Sequence, residues 1–230
     1  GRLISFVLTT VISAFLVFQP DFGQACLILF GWSVVYFVAG AHILLLIGVA
    51  AATIGLGSFA YNYSEHFARR IDGFLSPDLD PKTQLGYATN AIQEGGFFGV
   101  GVGEGQVKWS LPDAHTDFII AVAAEEYGFV LVGLILAIYG TIVCISLARL
   151  LRERDIFVRL AGTGLVCMFG IQAVINIGVA ARLLPAKGMT LPFVSYGGSS
   201  LIAGGIAIGI LLALTRSRPQ KNVADIFIKG

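Results

Sequence analysis

The sequence predicts an all-α integral membrane protein, a multi-span helical bundle with one large extracytoplasmic loop. Two observations predict this class: hydrophobic residues make up 56% of the 230 residues and charged residues only 13%. The formal net charge is +1. Soluble domains carry about 25% charged residues, so this chain has too few charges to cover a surface that faces water. A near-neutral chain also lacks the concentrated basic face that nucleic-acid binding favours, so no nucleic-acid partner is expected.

Long charge-free stretches predict six membrane spans. A helix needs about 20 mostly apolar residues to cross the hydrocarbon core, and Asp21 is the only charged residue between Arg2 and Glu65. The stretch after Asp21 is too long for one crossing, and Ala39-Gly40-Ala41-His42 is its natural break. The other charge-free windows are 127–148, 160–181 and 188–215. The expected spans are about 3–18, 22–39, 42–60, 117–148, 160–181 and 191–215.

Six spans place both chain ends on one side, and the basic residues then divide unevenly. Nine lie on the side of the termini: Arg2, Arg149, Arg152, Arg154, Arg159, Arg216, Arg218, Lys221 and Lys229. Six lie opposite: Arg69, Arg70, Lys82, Lys108, Arg182 and Lys187. The positive-inside rule makes the termini and the connection 149–159 cytoplasmic. We therefore expect one integral-membrane domain, 1–230, with a large extracytoplasmic loop at 61–116 and a cytoplasmic tail at 216–230.

The outer loop is too rich in apolar residues to be a plain linker. We expect short interfacial helices around 64–75 and 82–94, lying in the membrane plane with their aromatic side chains inward. A glycine-rich run follows at 95–105. It lacks the Gly-Lys-Ser/Thr ending of a nucleotide loop. Two interpretations stay open, a tight turn at the membrane interface and a backbone amide cradle for a lipid-linked pyrophosphate.

Carboxylates gather at the start of the fourth span. Asp117 precedes the adjacent pair Glu125 and Glu126, and carboxylates in a span are costly and point to function by default. Asp117 is equally explained as a helix N-cap or first-turn acid. Arg182 and Lys187 follow the fifth span on the same outer side, where they would either offset negative charge or snorkel to the interface.

The histidines and cysteines suggest no built metal centre. His42, His66 and His115 are too scattered for a triad, although His115-Thr116-Asp117 could contribute to a Mg²⁺ site held mostly by substrate phosphates. The three cysteines lie inside expected spans without metal-ligand spacing and are interpreted as apolar packing residues: Cys26, Cys144 and Cys167.

Three motifs resemble a known family. They are QPDFG at 19–23, LPDAHTDFIIAVAAEE at 111–126 and PAKGMTLPFVSYGGSS at 185–200. Together they look like the SEDS proteins (shape, elongation, division and sporulation), and Lys187 resembles the division member more than the elongation member, where Thr is usual. The family has about ten spans, so this chain resembles the C-terminal six, and its start looks cut. Ile120 and the stretch 176–182 depart from the family pattern, and we expect neither to touch the chemistry.

The resemblance implies a peptidoglycan glycosyltransferase that polymerises lipid II. It implies a site on the outer face of the bacterial cytoplasmic (inner) membrane, with the division septum expected, a class B penicillin-binding protein transpeptidase as partner, and other divisome proteins nearby. The family's essential acid corresponds to Asp117, which we expect to be catalytic. Lys187 corresponds to an important charge of the same cavity. The expected substrate-binding residues are Lys187, Arg182, His115, Thr116 and Glu126.

The resemblance leaves some questions about the chemistry open. A divalent cation, Mg²⁺ or Mn²⁺, is one alternative, and no organic cofactor is expected. A lipid II flippase or transporter is the rival function, since intramembrane polar residues also suit transport. A carrier, however, needs those residues near mid-membrane, whereas here they gather at the outer lip. A non-catalytic scaffold for a penicillin-binding protein and a role in elongation also stay open.

Overall fold

The computed structural model describes residues 2–19, 21–76, 83–185 and 188–216, and this part of the chain is helical with no strand. The helices are α1 (Arg2–Phe18), α2 (Phe22–Val38), α3 (Ile43–Tyr63), α4 (Glu65–Leu75), α5 (Gln84–Gly95), α6 (Ile119–Leu150), α7 (Ile156–Ala180) and α8 (Gly198–Thr215). A single 3₁₀ turn, Val107–Trp109, lies between α5 and α6.

Four helices, α3, α6, α7 and α8, are long and apolar enough to cross a membrane. Helices α1 and α2 are also apolar but have 17 residues each. This arrangement agrees with the predicted all-α membrane class. The central helix is α7, which packs against α2, α6 and α8. Small residues let α2 and α7 approach closely: a Cβ added at Gly164 would lie 2.6 Å from Val35, and one added at Gly31 would lie 2.7 Å from Met168.

Polar side chains cap the N-termini of several helices, where the N–H groups of the first turn have no partner within the helix. Asp21 accepts a hydrogen bond from the Gln24 N–H at the start of α2 (3.1 Å). Asp155 accepts from the Phe157 N–H at the start of α7 (2.9 Å). In the segment between α3 and α6, which the charge pattern predicts to be extracytoplasmic and which we call the outer segment, Ser64 and Thr83 cap α4 and α5 in the same way. The two short helices expected there are therefore present, and each begins at a side-chain cap.

Three long helices begin at residues that differ from the expected span starts. Helix α6 begins at Ile119 rather than 117, so Asp117 is neither its N-cap nor in its first turn. Helix α7 begins at Ile156 rather than 160, because the Asp155 cap sets its start and Arg159 lies inside it. Helix α8 begins at Gly198 rather than 191. The segment 188–197 before it is not helical and forms part of the site described below.

Helix α5 packs against the N-terminal end of α6 and brings the outer segment onto the bundle. Apolar residues from α5, the loop after it, α6 and α7 form one buried cluster: Leu85, Ala88, Ala91, Leu111, Ala114, Phe118, Ala121 and Val179. Burial of such a cluster is the main favourable term that holds the outer segment in place. The cluster includes Ala114 and Phe118, so it anchors the turn that contains Asp117 at two points.

Candidate functional site

A tight turn presents Asp117 just before α6. Asp113 has a positive φ of 56°, and its carbonyl accepts hydrogen bonds from the backbone N–H groups of Thr116 (3.1 Å) and Asp117 (3.2 Å). The backbone N–H of Asp117 is thus bonded within the turn, whereas its carbonyl is available to a residue outside the turn. The next residue, Phe118, is 2% exposed and anchors the turn in the apolar cluster.

Three consecutive carbonyls, at residues 115 to 117, accept hydrogen bonds from two distant parts of the chain, the segment before α8 and helix α7. The Tyr196 N–H donates to the His115 carbonyl (2.9 Å) and the Ser195 hydroxyl donates to the Thr116 carbonyl (2.5 Å). The Asn176 side-chain amide donates to the Asp117 carbonyl (3.0 Å). We call residues 115–117 the catalytic strip, after the role that the motifs predict for Asp117. Because each of its residues is bonded, the strip is held in one position.

Asn176 also joins the strip to the segment that follows Lys187. Its Nδ2 donates to the Met189 carbonyl (2.5 Å) as well as to the Asp117 carbonyl, and the residue is 1% exposed. The stretch 176–182 was not expected to touch the chemistry, and at Asn176 it contacts the backbone of Asp117. A signal was present in the sequence, since a carboxamide inside an apolar span needs a partner.

The carboxylate of Asp117 lies beside Gly188. A Cβ added at Gly188 would lie 3.4 Å from Asp117 Oδ2, and Gly188 has a φ of +60° that favours glycine. Gly188 directly follows Lys187, the second charge that the motifs singled out. Lys187 itself lies outside the described residues.

An open cavity of about 570 Å³ lies next to the catalytic strip. Three of the expected substrate-binding residues line it: His115, Thr116 and Glu126. Lys108, Trp109 and Tyr196 line it as well. The cavity therefore brings together residues from the 3₁₀ turn, the strip, α6 and the segment before α8.

The adjacent acids Glu125 and Glu126 have separate partners. Glu125 is fully buried and accepts hydrogen bonds from the backbone N–H groups of Val107 (2.8 Å) and Lys108 (3.0 Å). Glu126 forms an ion pair with the Lys108 ammonium, and both side chains are 14% exposed. Sequence reasoning missed Lys108. Its signal was that it is the sole basic residue between Lys82 and Arg149, in a stretch with several acids.

The glycine-rich run uses its backbone N–H groups within the protein. The N–H of Val100 donates to the Glu125 carbonyl (2.9 Å) and that of Gly101 to the Glu126 carbonyl (3.2 Å). The N–H of Gly99 donates to the Gly95 carbonyl (2.7 Å). These bonds favour the tight-turn interpretation over the pyrophosphate cradle.

Arg182 lies away from the cavity lining. Its guanidinium Nη2 donates to the Ser76 carbonyl at the end of α4 (2.6 Å), and its φ is +57°. The Arg182 side chain, which we expected to offset substrate charge, is therefore already bonded to the end of α4. Within the described residues, no group of three or more His, Cys, Asp or Glu side chains is arranged to hold a metal ion.

Comparison with known proteins agrees with the motifs. The family model for FtsW, RodA and SpoVE, described as "Cell cycle protein", matches residues 1–220. A protein named probable peptidoglycan glycosyltransferase FtsW from Caulobacter vibrioides is 42% identical over 220 residues, which cover 95% of this chain and 56% of that protein. Stage V sporulation protein E of Bacillus subtilis is 37% identical over 214 residues, covering 90% and 58%. The chain thus spans a little over half the length of these relatives.

Comparison with solved structures indicates the same family. A chain of the structure described as "Structural coordination of polymerization and crosslinking by a peptidoglycan synthase complex" has a TM-score of 0.75 and 35% identity, covering 94% of this chain and 62% of that one. The rod shape determining protein RodA of Thermus thermophilus has a TM-score of 0.61 and 31% identity, covering 94% and 56%. The chain therefore belongs to the FtsW/RodA/SpoVE family of cell cycle proteins, the SEDS family.

Proposed function

We propose that the protein is a peptidoglycan glycosyltransferase that polymerises lipid II into glycan strands during cell division. The Caulobacter vibrioides relative and others like it are named probable peptidoglycan glycosyltransferase FtsW, and these names support both the reaction and the division role. The observation that carries the proposal is the catalytic strip. Two separate segments, the residues before α8 and helix α7, hold the backbone of residues 115–117, with the carboxylate of Asp117 beside Gly188.

In this mechanism, Asp117 is the general base. The acceptor sugar hydroxyl gives its proton to the Asp117 carboxylate as its oxygen forms a bond to the anomeric carbon of the donor. The bond from that carbon to the lipid pyrophosphate breaks, and the configuration inverts. Hydrolysis of a glycoside requires a second, acidic carboxyl group to protonate the leaving alkoxide. Pyrophosphate leaves without that help, so one carboxylate is sufficient.

Charge that builds on the leaving pyrophosphate must be offset by cations. Lys187 and Arg182 have this role in the proposal, and His115, Thr116 and Glu126 contact the substrate sugars or phosphates. The position of the last three around one cavity supports their assignment. The ion pair of Glu126 with Lys108 makes Lys108 a further candidate for substrate contact.

The side chains of Asp117 and His115 fit a divalent cation, Mg²⁺ or Mn²⁺, only if substrate phosphates supply further ligands. Mg²⁺ usually retains several waters and binds to one or two carboxylates together with substrate phosphates. The Asp117 carboxylate, with His115 two residues before it, could complete such a site on a metal that the pyrophosphate brings. The metal would supply charge neutralisation on the leaving group.

The cellular setting is part of the same proposal. The protein lies in the bacterial inner membrane at the division septum, with six spans that include α1 and α2 and with the site facing outward. A class B penicillin-binding protein crosslinks the strands that this protein makes. Other divisome proteins are further partners. The structural relative from a synthase complex that coordinates polymerization and crosslinking supports such a partner.

Reconstitution tests the function. The full-length protein, paired with a penicillin-binding partner whose transpeptidase is inactivated, would be given labelled lipid II, and glycan strands would be separated by gel electrophoresis. Wild type should make strands, and a folded, partner-bound Asp117→Ala variant should be slower by about 10²- to 10⁴-fold, the typical contribution of a general base. Equal polymer from both proteins would indicate a scaffold. Movement of lipid II across the bilayer without polymer would indicate a flippase.

A further inference from the structure

The glycine-rich loop at 95–103 exposes large apolar side chains. Phe97 and Phe98 are 72% and 83% exposed, with ring centroids 6.1 Å apart, and Val102 is 69% exposed. No charged residue occurs between Glu94 and Glu104. An exposed apolar patch with charges at its rim is typical of a contact surface.

The length of α6 indicates where the hydrocarbon begins. Its 32 residues are interrupted by a kink at Gly128, so only the part beyond the kink is one continuous helix. The charge-free part of that helix, 129–148, extends about 30 Å at 1.5 Å per residue and matches the hydrocarbon core of about 30 Å. The outer border of the hydrocarbon therefore lies near the kink, and the turns of α6 before Glu126 lie outside.

The loop contacts α6 across this border. Its Val100 N–H bonds to the carbonyl of Glu125, just outside. On the inner side, the Phe129 N–H donates to the Gly96 carbonyl (3.0 Å), and the Val130 N–H donates to the Phe97 carbonyl (3.3 Å). The backbone of Phe97 thus lies at the level of Val130, which is within the charge-free part of the helix.

These hydrogen bonds also allow the backbone of the loop to lie in an apolar medium. Irregular backbone is tolerated at membrane depth only where its polar groups are satisfied by the protein. The kink of α6 at Gly128 (φ 73°, ψ −172°) interrupts the helical pattern, and the loop pairs with the helix on both sides of it. The loop thereby gains partners that water would otherwise supply.

The exposed face of the loop continues onto α6. Phe129 and Val130 are 58% and 54% exposed on the charge-free part of the helix. Lipid chains surround that part of α6. The exposed patch of the loop is continuous with it, so the same lipid chains cover the patch. The lack of charge over 95–103 removes the groups that a polar protein surface would pair with.

We propose that Phe97 and Phe98 insert into the acyl-chain border of the outer leaflet, so that the glycine-rich loop is a membrane anchor for the outer end of α6. The anchor fixes the depth at which the catalytic strip stands above the hydrocarbon. The anchor does not depend on the glycosyltransferase activity, and a failure of either proposal leaves the other intact.

Spin-label accessibility measures this depth. The full-length protein, with Cys26, Cys144 and Cys167 replaced by alanine, would carry one nitroxide at position 97 or 98 in phosphatidylethanolamine and phosphatidylglycerol vesicles. Collision with oxygen, which concentrates in acyl chains, would be compared with collision with a water-soluble nickel chelate. Matched labels at the exposed positions Gln106, in the outer segment, and Leu134, in the charge-free part of α6, give the two reference values.

Labels at 97 and 98 should favour oxygen, as the label at 134 does, whereas the label at 106 should favour the nickel chelate. Labels at 97 and 98 that behave like the one at 106 would overturn the proposal and leave the patch to water or to a protein partner. A second reporter guards against perturbation by the nitroxide. Phe98→Trp, with Trp32 and Trp109 changed to phenylalanine, should be quenched by lipids brominated on their chains, and absence of quenching would also overturn the anchor.

Discussion

Asn176 joins two segments that lie far apart in the sequence. It does so from a fully apolar stretch of α7, where its amide donates to the carbonyls of Asp117 and Met189. A buried carbonyl that loses its donor costs about 1–3 kcal/mol. The side chain therefore contributes both to stability and to the position of the catalytic strip, and we regard Asn176 as a positioning residue.

The variant Asn176→Leu keeps the side-chain size and removes both hydrogen bonds. We expect a lower unfolding temperature and a lower kcat for lipid II polymerisation with KM little changed, because Asp117 is displaced while the cavity remains. Thermal unfolding in detergent and steady-state polymerisation would measure the two effects. The control is Asn62→Leu, at an exposed position in α3, where surface changes usually stay within about 0.5 kcal/mol. An Asn176→Leu protein equal to this control would contradict the positioning role.

The ion pair between Lys108 and Glu126 differs from an ordinary surface pair because it is mostly buried. Both side chains are 14% exposed, whereas those of Arg69 and Glu65 are 76% and 94% exposed. Exposed pairs contribute little to stability because water and salt screen them. A partly buried pair is screened less, so these two pairs form a natural comparison within one chain.

A double-mutant cycle would compare the two pairs. With Lys108→Met and Glu126→Gln we expect a coupling of about 0.5–3 kcal/mol, the range for residues in direct contact. With Arg69→Met and Glu65→Gln we expect about 0.3–0.5 kcal/mol, as for i,i+4 pairs on a helix. Unfolding in denaturant would supply the free energies. Equal coupling in the two cycles would show that Lys108 does not hold Glu126 at the cavity.

At the scale of the elements, glycines allow the loop and the kinked helix to meet. A Cβ at Gly128 would lie 2.4 Å from the Gly99 nitrogen, and one at Gly99 would lie 2.1 Å from the Glu126 carbonyl oxygen. Both residues also have positive φ values, 73° and 81°. The sequence reveals the glycines but not their partner, because a phosphate cradle and a close backbone contact require the same residue. The tertiary contact decides between the two.

Gly128→Ala should therefore be strongly destabilising. The backbone conformation of Gly128 (φ 73°, ψ −172°) is almost exclusive to glycine and costs another residue about 1–3 kcal/mol, and the clash with the loop backbone adds to it. The matched control is Gly133→Ala, five residues further along α6, where an added Cβ meets nothing within 4 Å. There we expect no loss, or a gain of about 0.5–1 kcal/mol from better helix propensity. Equal unfolding temperatures for the two variants would contradict the structural role of the kink.

For the whole molecule, charge spacing alone predicted the apolar helices and the long outer segment. It could not predict that α6, α7 and α8 begin at 119, 156 and 198, because charge marks the border of the hydrocarbon while hydrogen bonds determine helix starts. The motifs indicated Asp117, and three expected substrate residues line one cavity. Asn176 and Lys108 were missed because their partners are distant in sequence and only the fold brings them together.

The central claim is that the Asp117 carboxylate, held by the bundle at the outer face, takes the acceptor proton. The most direct test is the initial rate of lipid II polymerisation by full-length Asp117→Asn, which keeps the shape of the side chain and removes its basicity. The control is Glu94→Gln, an exposed acid on α5. We predict a loss of about 10²- to 10⁴-fold for Asp117→Asn and the wild-type rate for the control. A folded, partner-bound Asp117→Asn protein that polymerises at the wild-type rate would contradict the account.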